Sequence, residues 1–551
     1  MNEEDLKFIE TEERLYQKTV DSLAEQLPRV RASKISANLE AREMTRQLTN
    51  VRNEEERQAL ASDEEVAHQV FDIRKENDKA LLELLQEPYF GRVVTSEDDG
   101  REVSFLVGKK SNIEAGIVDW RNGPLSSLYF NYQQGDEFFE VINNLERSGR
   151  IKIRRSYRIV SGKLVQIDTP EGVFLKDEDG CWEKLDTDSQ EAASRSRGFH
   201  SKEKKLPNIL SLITSDQFEM ITTDVGKPVI IQGSAGSGKT TVALHRLAWL
   251  LHKENSPARP ESTRVLMMNK SLQAYVVSTL PSMGIEGVGT LTFNGWAMSL
   301  IRQATRGKAF FRYRDLPSFI EEIKFSEEIL DVLSAFVERQ KRELDRAVRD
   351  KFMSQPEIMK IWQGRAPQAI IPGLREVIYD IDISDLRQEV KNTVKSFFRS
   401  KLMELEDYVE DMYALFTDSE FLMKNLNGRS KLQSHLKFLR KSTFRNKKDK
   451  CLDYFDLPLI LRIIQIKNGG LVGKNGEVTL MDHLVIDEAQ DFGAVEFAVM
   501  INAVRDKSHV TIVGDVGQKI LTSRKFIGWD KIIETLEMDK EDLIRLEVSY
   551  R

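Results

Sequence analysis

The stretch Pro228-Val-Ile-Ile-Gln-Gly-Ser-Ala-Gly-Ser-Gly-Lys-Thr240, followed by Thr241-Val-Ala-Leu-His-Arg-Leu-Ala-Trp-Leu-Leu251, decides the fold class. Its opening run is apolar and β-branched and reads as a buried strand, and its closing run has helical apolar spacing. Between them, Gly233, Ser234, Ala235, Gly236, Ser237, Gly238, Lys239 and Thr240 fit the pattern GxxxxGK[ST] in the strand-then-helix setting that the pattern requires. The glycines let successive backbone N–H groups curl around an anion at a helix N-terminus, where the dipole also favours negative charge. Lys239 adds a point charge for phosphate oxygens, Thr240 a hydroxyl for magnesium, and Thr241 lies in the first helical turn. A glycine-rich turn without a ligand would need neither Lys239 nor Thr240.

A second run, Leu484-Val-Ile-Asp-Glu-Ala-Gln-Asp491, sets two adjacent carboxylates at the end of an apolar strand. A bare acidic pair usually faces solvent. At the carboxyl end of a strand beside a phosphate loop, however, Asp487 can hold magnesium and Glu488 can activate the attacking water. A third strand, Val510-Thr-Ile-Val, leads into Gly514-Asp-Val-Gly-Gln-Lys-Ile520, where the amide of Gln518 can reach a terminal phosphate.

The remaining residues place these runs in a larger chain. With 551 residues, roughly three or four domains are expected. A hydrophobic share of 40% and a net charge of -7 describe an ordinary soluble protein, whose nucleic-acid contacts, if any, must be local basic patches. Two cysteines, Cys181 and Cys451, have no metal-ligand spacing and are expected to be packing residues. The acidic start, Met1-Asn-Glu-Glu-Asp, and the lack of an apolar run long enough to span a bilayer predict a cytoplasmic protein with no membrane partner.

Residues 1–87 lack glycine and carry helical apolar spacing, so a helical hairpin or coiled coil is expected, with its turn near Asn53 to Asp63. Residues 88–185 show short β-like runs, and 186–205 are polar and linker-like. Strand and helix alternate over 206–300 and again over 480–551, with a helical insertion at 301–479. The fold class is therefore α/β: a P-loop NTPase domain with a parallel sheet, interrupted by the insertion and preceded by the hairpin and a small β-rich domain. Two basic clusters interleave with aromatics: Arg147, Arg150, Lys152, Arg154, Arg155 and Arg158 around Tyr157, and Arg440, Lys441, Arg445, Lys447, Lys448 and Lys450 near Phe438 and Phe444. Each reads equally well as a single-strand track or as a solvated face.

Together these runs resemble helicase superfamily 1 of the UvrD/Rep type. Asp487-Glu-Ala-Gln-Asp491, Gly514-Asp-Val-Gly-Gln518 and Leu546-Glu-Val-Ser-Tyr-Arg551, the last similar to LxxNYR, stand in that family's order. Gln217, in Ser215-Asp-Gln-Phe218, falls where the family has the glutamine that reads adenine. Val265-Leu-Met-Met-Asn269-Lys270 resembles the next motif, and Gly289-Thr-Leu-Thr292-Phe293-Asn-Gly-Trp296 resembles its single-strand contact motif. The resemblance implies a RecA-like domain with ATP and Mg²⁺ as cofactors, a catalytic role for Arg551, and DNA, single-stranded or duplex, as partner. It also implies 3′-to-5′ polarity and nucleic-acid contacts at Asn269, Lys270, Thr292 and Phe293.

Farther forward, Tyr89-Phe-Gly-Arg92 and Ile117-Val-Asp-Trp-Arg-Asn-Gly-Pro-Leu-Ser-Ser-Leu-Tyr-Phe130 resemble the YxGR and DWRAPxxxxFY signatures of HelD, the bacterial RNA-polymerase-associated ATPase, with Asn122-Gly123 replacing alanine. That resemblance implies RNA polymerase as a partner through residues 1–180, with the hairpin entering the polymerase secondary channel. The chain ends at Arg551, where a second RecA-like domain should begin. That domain is expected from a longer protein or another chain, and the present chain is expected to bind ATP but turn it over poorly. A defence or signalling ATPase that reuses the same core without unwinding is the alternative reading.

Overall fold

A computed structural model describes residues 1–50, 54–142, 145–177, 179–185, 210, 213–234, 236–365, 369–426, 432–473, 476–515, 526–539 and 543–546. They fall into two compact units, divided between Thr222 and Thr223. The expected linker at 186–205 lies outside the described residues.

In the first unit, charge-rich sequence with helical spacing forms two long helices, α1 (Glu3–Asn50) and α2 (Glu54–Gln86). Lys34 Nζ donates to Asp78 Oδ2 at 2.6 Å and Thr45 Oγ1 to Glu64 Oε1 at 2.8 Å, so the helices run antiparallel. Because α2 begins at Glu54, the stretch 54–63 is helix and not the expected turn. The hairpin base, through Ile9, Leu23, Leu81 and Leu84, shares a core with the sheet residues Leu106, Ile117, Ile159 and Ile167.

That sheet comprises β1 (Gly91–Glu97), β2 (Glu102–Gly108), β3 (Ile117–Asp119), β4 (Glu137–Ile142), β5 (Leu145–Val160), β6 (Lys163–Thr169), β7 (Gly172–Lys176) and β8 (Trp182–Leu185). Their order is β3-β2-β1-β5-β6-β7-β8, with β4 also on β5. Helix α3 (Gly123–Phe130) starts from Pro124, whose fixed φ and missing N–H cost nothing in a first turn. Helix α4 (Ser215–Thr222) joins this unit because Phe218 stacks on Phe130, ring centroids 4.3 Å apart, and Ser215 bonds Asn131.

The first basic cluster is not an open track. Arg92, Arg155 and the hydroxyl of Tyr157 all donate to the fully buried carboxylate of Glu12. Arg147 pairs with Glu97, Arg150 with Glu137 and Lys152 with Glu102, while Arg154 donates to the Tyr129 carbonyl. Tyr157 is buried, so its ring cannot stack on a base.

The second unit is built on a parallel sheet. Its strands are β9 (Val229–Gly233), β10 (Thr263–Met267), β11 (Gly289–Thr292), β12 (His483–Ile486), β13 (Val510–Gly514) and β14 (Leu543–Leu546), in the order β11-β10-β12-β13-β9-β14. Every neighbouring pair is parallel. Continuous burial of β12 and β13 is what strands covered on both faces require, and it explains their unbroken apolar runs. The helices α5 (Lys239–Leu250), α6 (Lys270–Thr279) and α7 (Phe293–Ala304) follow β9, β10 and β11. The segment between α7 and β12 is mainly helical, and its core runs unbroken into the sheet through Leu333, Leu461, Leu484 and Ile486. Among the described residues no helix is long and apolar enough to cross a membrane. Cys451 is buried, as a packing residue should be, but Cys181 is exposed.

Candidate nucleotide site

The loop between β9 and α5 is shaped by Gly236 and Gly238, at φ +81° and +85°, a left-handed conformation that costs glycine nothing. Gly238 caps α5, so Lys239 and Thr240 occupy its first turn with that turn's N–H groups free of intrahelical partners. Lys239 Nζ donates back to the Ser234 carbonyl at 2.8 Å, which holds a positive charge over the loop. Ser237 is fully buried and its Oγ has no hydrogen-bond partner among the described residues. Thr241 sits one residue further on and its carbonyl bonds the ring of His245. Ala235 lies outside the described residues.

The acidic run meets this loop. Thr240 Oγ1 donates to Asp487 Oδ1 at 3.3 Å, across 247 residues of sequence. The Asp487 N–H bonds the Leu266 carbonyl, which anchors the strand end against β10. The same Oδ1 accepts the N–H of Glu488 at 2.9 Å, whereas Oδ2 is buried and has no partner among the described residues. Burial, and next the adjacent Glu488 charge, push the Asp487 carboxyl up to about 7. A buried carboxylate oxygen without a donor fits a divalent cation, whose charge would reverse that shift. Thr240 and Asp487 are the residues that would hold it.

Glu488 has φ +54°, a left-handed conformation that costs a non-glycine residue roughly 1–2 kcal/mol. Gln490 compensates: its Nε2 donates to Glu488 Oε2 at 2.6 Å and its Oε1 accepts the Asp515 N–H at 2.8 Å. Gln490 is thus a site residue that the sequence reading did not single out, although it stands in the same acidic run. It ties Glu488 to the end of β13, where Gly514 leaves just enough room for it.

The other expected residues are placed as follows. Gln217 lies on α4 in the first unit, buried, with its N–H on Thr214 Oγ1. Asn269 is exposed and caps α6 by accepting the Ser271 N–H; Lys270 is exposed beside it. Thr292 caps α7 by accepting the Gly295 N–H. Phe293, expected among the nucleic-acid contacts, is instead fully buried between Trp296 and Phe492, each with its centroid 5.9 Å away, because its helix turns that face into the core. Gln518 and Arg551 lie outside the described residues.

Residues 213–525 match the model of the UvrD/REP helicase N-terminal domain. The chain belongs to the UvrD/Rep helicase family. Residues 9–174 also match the N-terminal domain of DNA helicase IV HelD, which covers the hairpin and most of the first sheet. A Mycoplasma capricolum protein described as "probable DNA helicase II homolog" is 23% identical over 322 residues, covering 58% of this chain and 36% of that protein. The chain therefore spans about a third of the length of that relative.

Proposed function

We propose that the chain is the ATP-binding part of a nucleic-acid motor of the UvrD/HelD type, with a RecA-like core in its second unit. The observation that carries this reading is the Thr240 to Asp487 hydrogen bond, which joins a phosphate loop and an acidic strand end in one place. The loop N–H groups and Lys239 would bind the β- and γ-phosphates of ATP, and Glu488 would take the proton from attacking water. Mg²⁺, held by Thr240 and Asp487, would neutralise phosphate charge when bound. Gln518 and Arg551 would act on the terminal phosphate. Lys270, with Asn269 and Thr292 near the ends of β10 and β11, is best placed to face a DNA backbone.

The HelD-type first unit supports RNA polymerase as a partner through residues 1–180, in addition to DNA. Two measurements test the reading. Lys239→Ala should abolish binding of a fluorescent ATP analogue, and unchanged affinity would overturn the site. Immobilised RNA polymerase should retain the chain but not a variant lacking residues 1–87, and no retention of either would remove the polymerase from the proposal.

A further inference from the structure

The helix Leu432–Lys448, in the insertion, carries Lys437, Arg440, Lys441, Arg445, Lys447 and Lys448 and no carboxylate. Its buried face is Leu432, Leu436, Leu439, Thr443 and Asn446. At about 100° per residue the opposite pole carries Lys441 and Lys448, flanked by Lys437 and Phe444 on one side and by Phe438 and Arg445 on the other. Both rings stand in solvent, Phe438 43% and Phe444 51% exposed. They are nonetheless held: Phe438 meets Phe319 edge-on at 5.7 Å, and the Arg440 guanidinium lies over Phe444 at 5.5 Å.

The charges are as uncovered as the rings. Lys447 pairs with Glu410, but Lys437, Lys441, Arg445 and Lys448 have no ion pair among the described residues. This is the reverse of the first basic cluster, where internal carboxylates take up the charges. Favourable interaction with the helix dipole accounts for cations in the last turn only, so it leaves Lys437 and Lys441 unexplained. Two exposed phenyl rings on a lysine-rich face are unexplained by solubility as well.

We propose that this face binds single-stranded nucleic acid, its phosphates on Lys437, Lys441, Arg445 and Lys448 and its bases on Phe438 and Phe444. The proposal rests on the motor reading above. Phosphodiesters match the four cations, and only a strand with unpaired bases offers faces to rings that stand out from a helix. From Lys437 to Lys448 the helix rises about 16 Å at ~1.5 Å per residue, enough for roughly four or five nucleotides at ~3.4 Å each. An acidic protein surface would use the cations and leave the rings idle.

The test is fluorescence anisotropy of the full chain with a labelled oligothymidine of about 16 nucleotides across a salt series. The double variant Lys441→Glu/Arg445→Glu should bind at least about tenfold more weakly and lower the salt slope by about 1.4, that is ~0.7 for each cation. Phe438→Ala/Phe444→Ala should bind about fivefold more weakly or worse at an unchanged slope. Nucleotide binding and melting temperature should be the same in both, since every altered residue is exposed. Variants that bind as well as the unaltered chain would sink this inference alone. Failure of the unaltered chain to bind would sink the nucleic-acid part of the motor reading with it. Displacement by polyglutamate as effective as by unlabelled oligothymidine, with the phenylalanine variant unimpaired, would assign the face to acidic polymers instead.

Discussion

The side-chain amide of Gln490 donates to the carboxylate of Glu488 at 2.6 Å. The bond restrains an acid whose backbone is forced left-handed, and the other end of the same amide is tied to Asp515 at the end of β13. If Glu488 is the base proposed above, Gln490 is a positioning residue. Gln490→Leu should leave ATP affinity within about twofold but slow hydrolysis at least about tenfold, because general-base catalysis depends on where the carboxylate sits. Comparing nucleotide Kd with single-turnover rates checks this. A loss confined to affinity would show that Gln490 shapes the loop and not the acid.

Gly514 lies where any side chain would press on that amide. A Cβ there would stand 2.8 Å from Gln490 Oε1 and 3.1 Å from both Ala489 Cβ and Trp529 Cη2. Gly514→Ala should cost about 1–3 kcal/mol through overpacking, read as a lower urea midpoint. It should also reproduce the hydrolysis defect of Gln490→Leu. A variant as stable and as active as the parent would mean that the sheet end relaxes freely.

These two residues mark the limit of what could be read in advance. The loop at 233–240, the strand ends at Asp487 and Val513 and the helical hairpin were legible because local spacing alone dictates them. What the amide of Gln490 touches depends on β12 lying beside β13, a pairing set by the whole sheet. The first basic cluster stays open between two readings for the same reason: its partners Glu12, Glu97, Glu102 and Glu137 come from other elements, and only the fold brings them together. Phe293 stands in a contact motif by resemblance, whereas the helix it opens turns it inward.

Glu12 is the clearest structural consequence of that pairing. Its carboxylate is fully buried and accepts from Arg92, from Arg155 and from the Tyr157 hydroxyl at 2.6 Å. Removing one partner of a buried ionic cluster strands the others, so Glu12→Ala should destabilise the first unit by about 3–5 kcal/mol. The hairpin base should then become accessible to protease while nucleotide binding by the second unit persists. Undiminished protease resistance would show that the apolar contacts of Ile9 and Leu23 suffice.

His483, on β12, gives the second unit a pH dependence of definite sign. Its ring is buried and bonds Thr511 Oγ1 at 3.0 Å. Burial, and then the charges of Arg246 and His509, hold its pKa well below the usual 6.5. In the unfolded chain the same ring titrates near 6.5, so below that pH the unfolded state binds a proton that the folded state refuses. Stability is therefore fully present above about pH 6.5 and falls as the pH drops, by about 1.4 kcal/mol for each unit until the folded-state value is reached. Urea midpoints measured from pH 8 to pH 5, a range of about three units, should decline in the parent and decline less in His483→Gln, which keeps a partner for Thr511 but cannot be protonated. Parallel declines in the two proteins would assign the acid sensitivity to other groups.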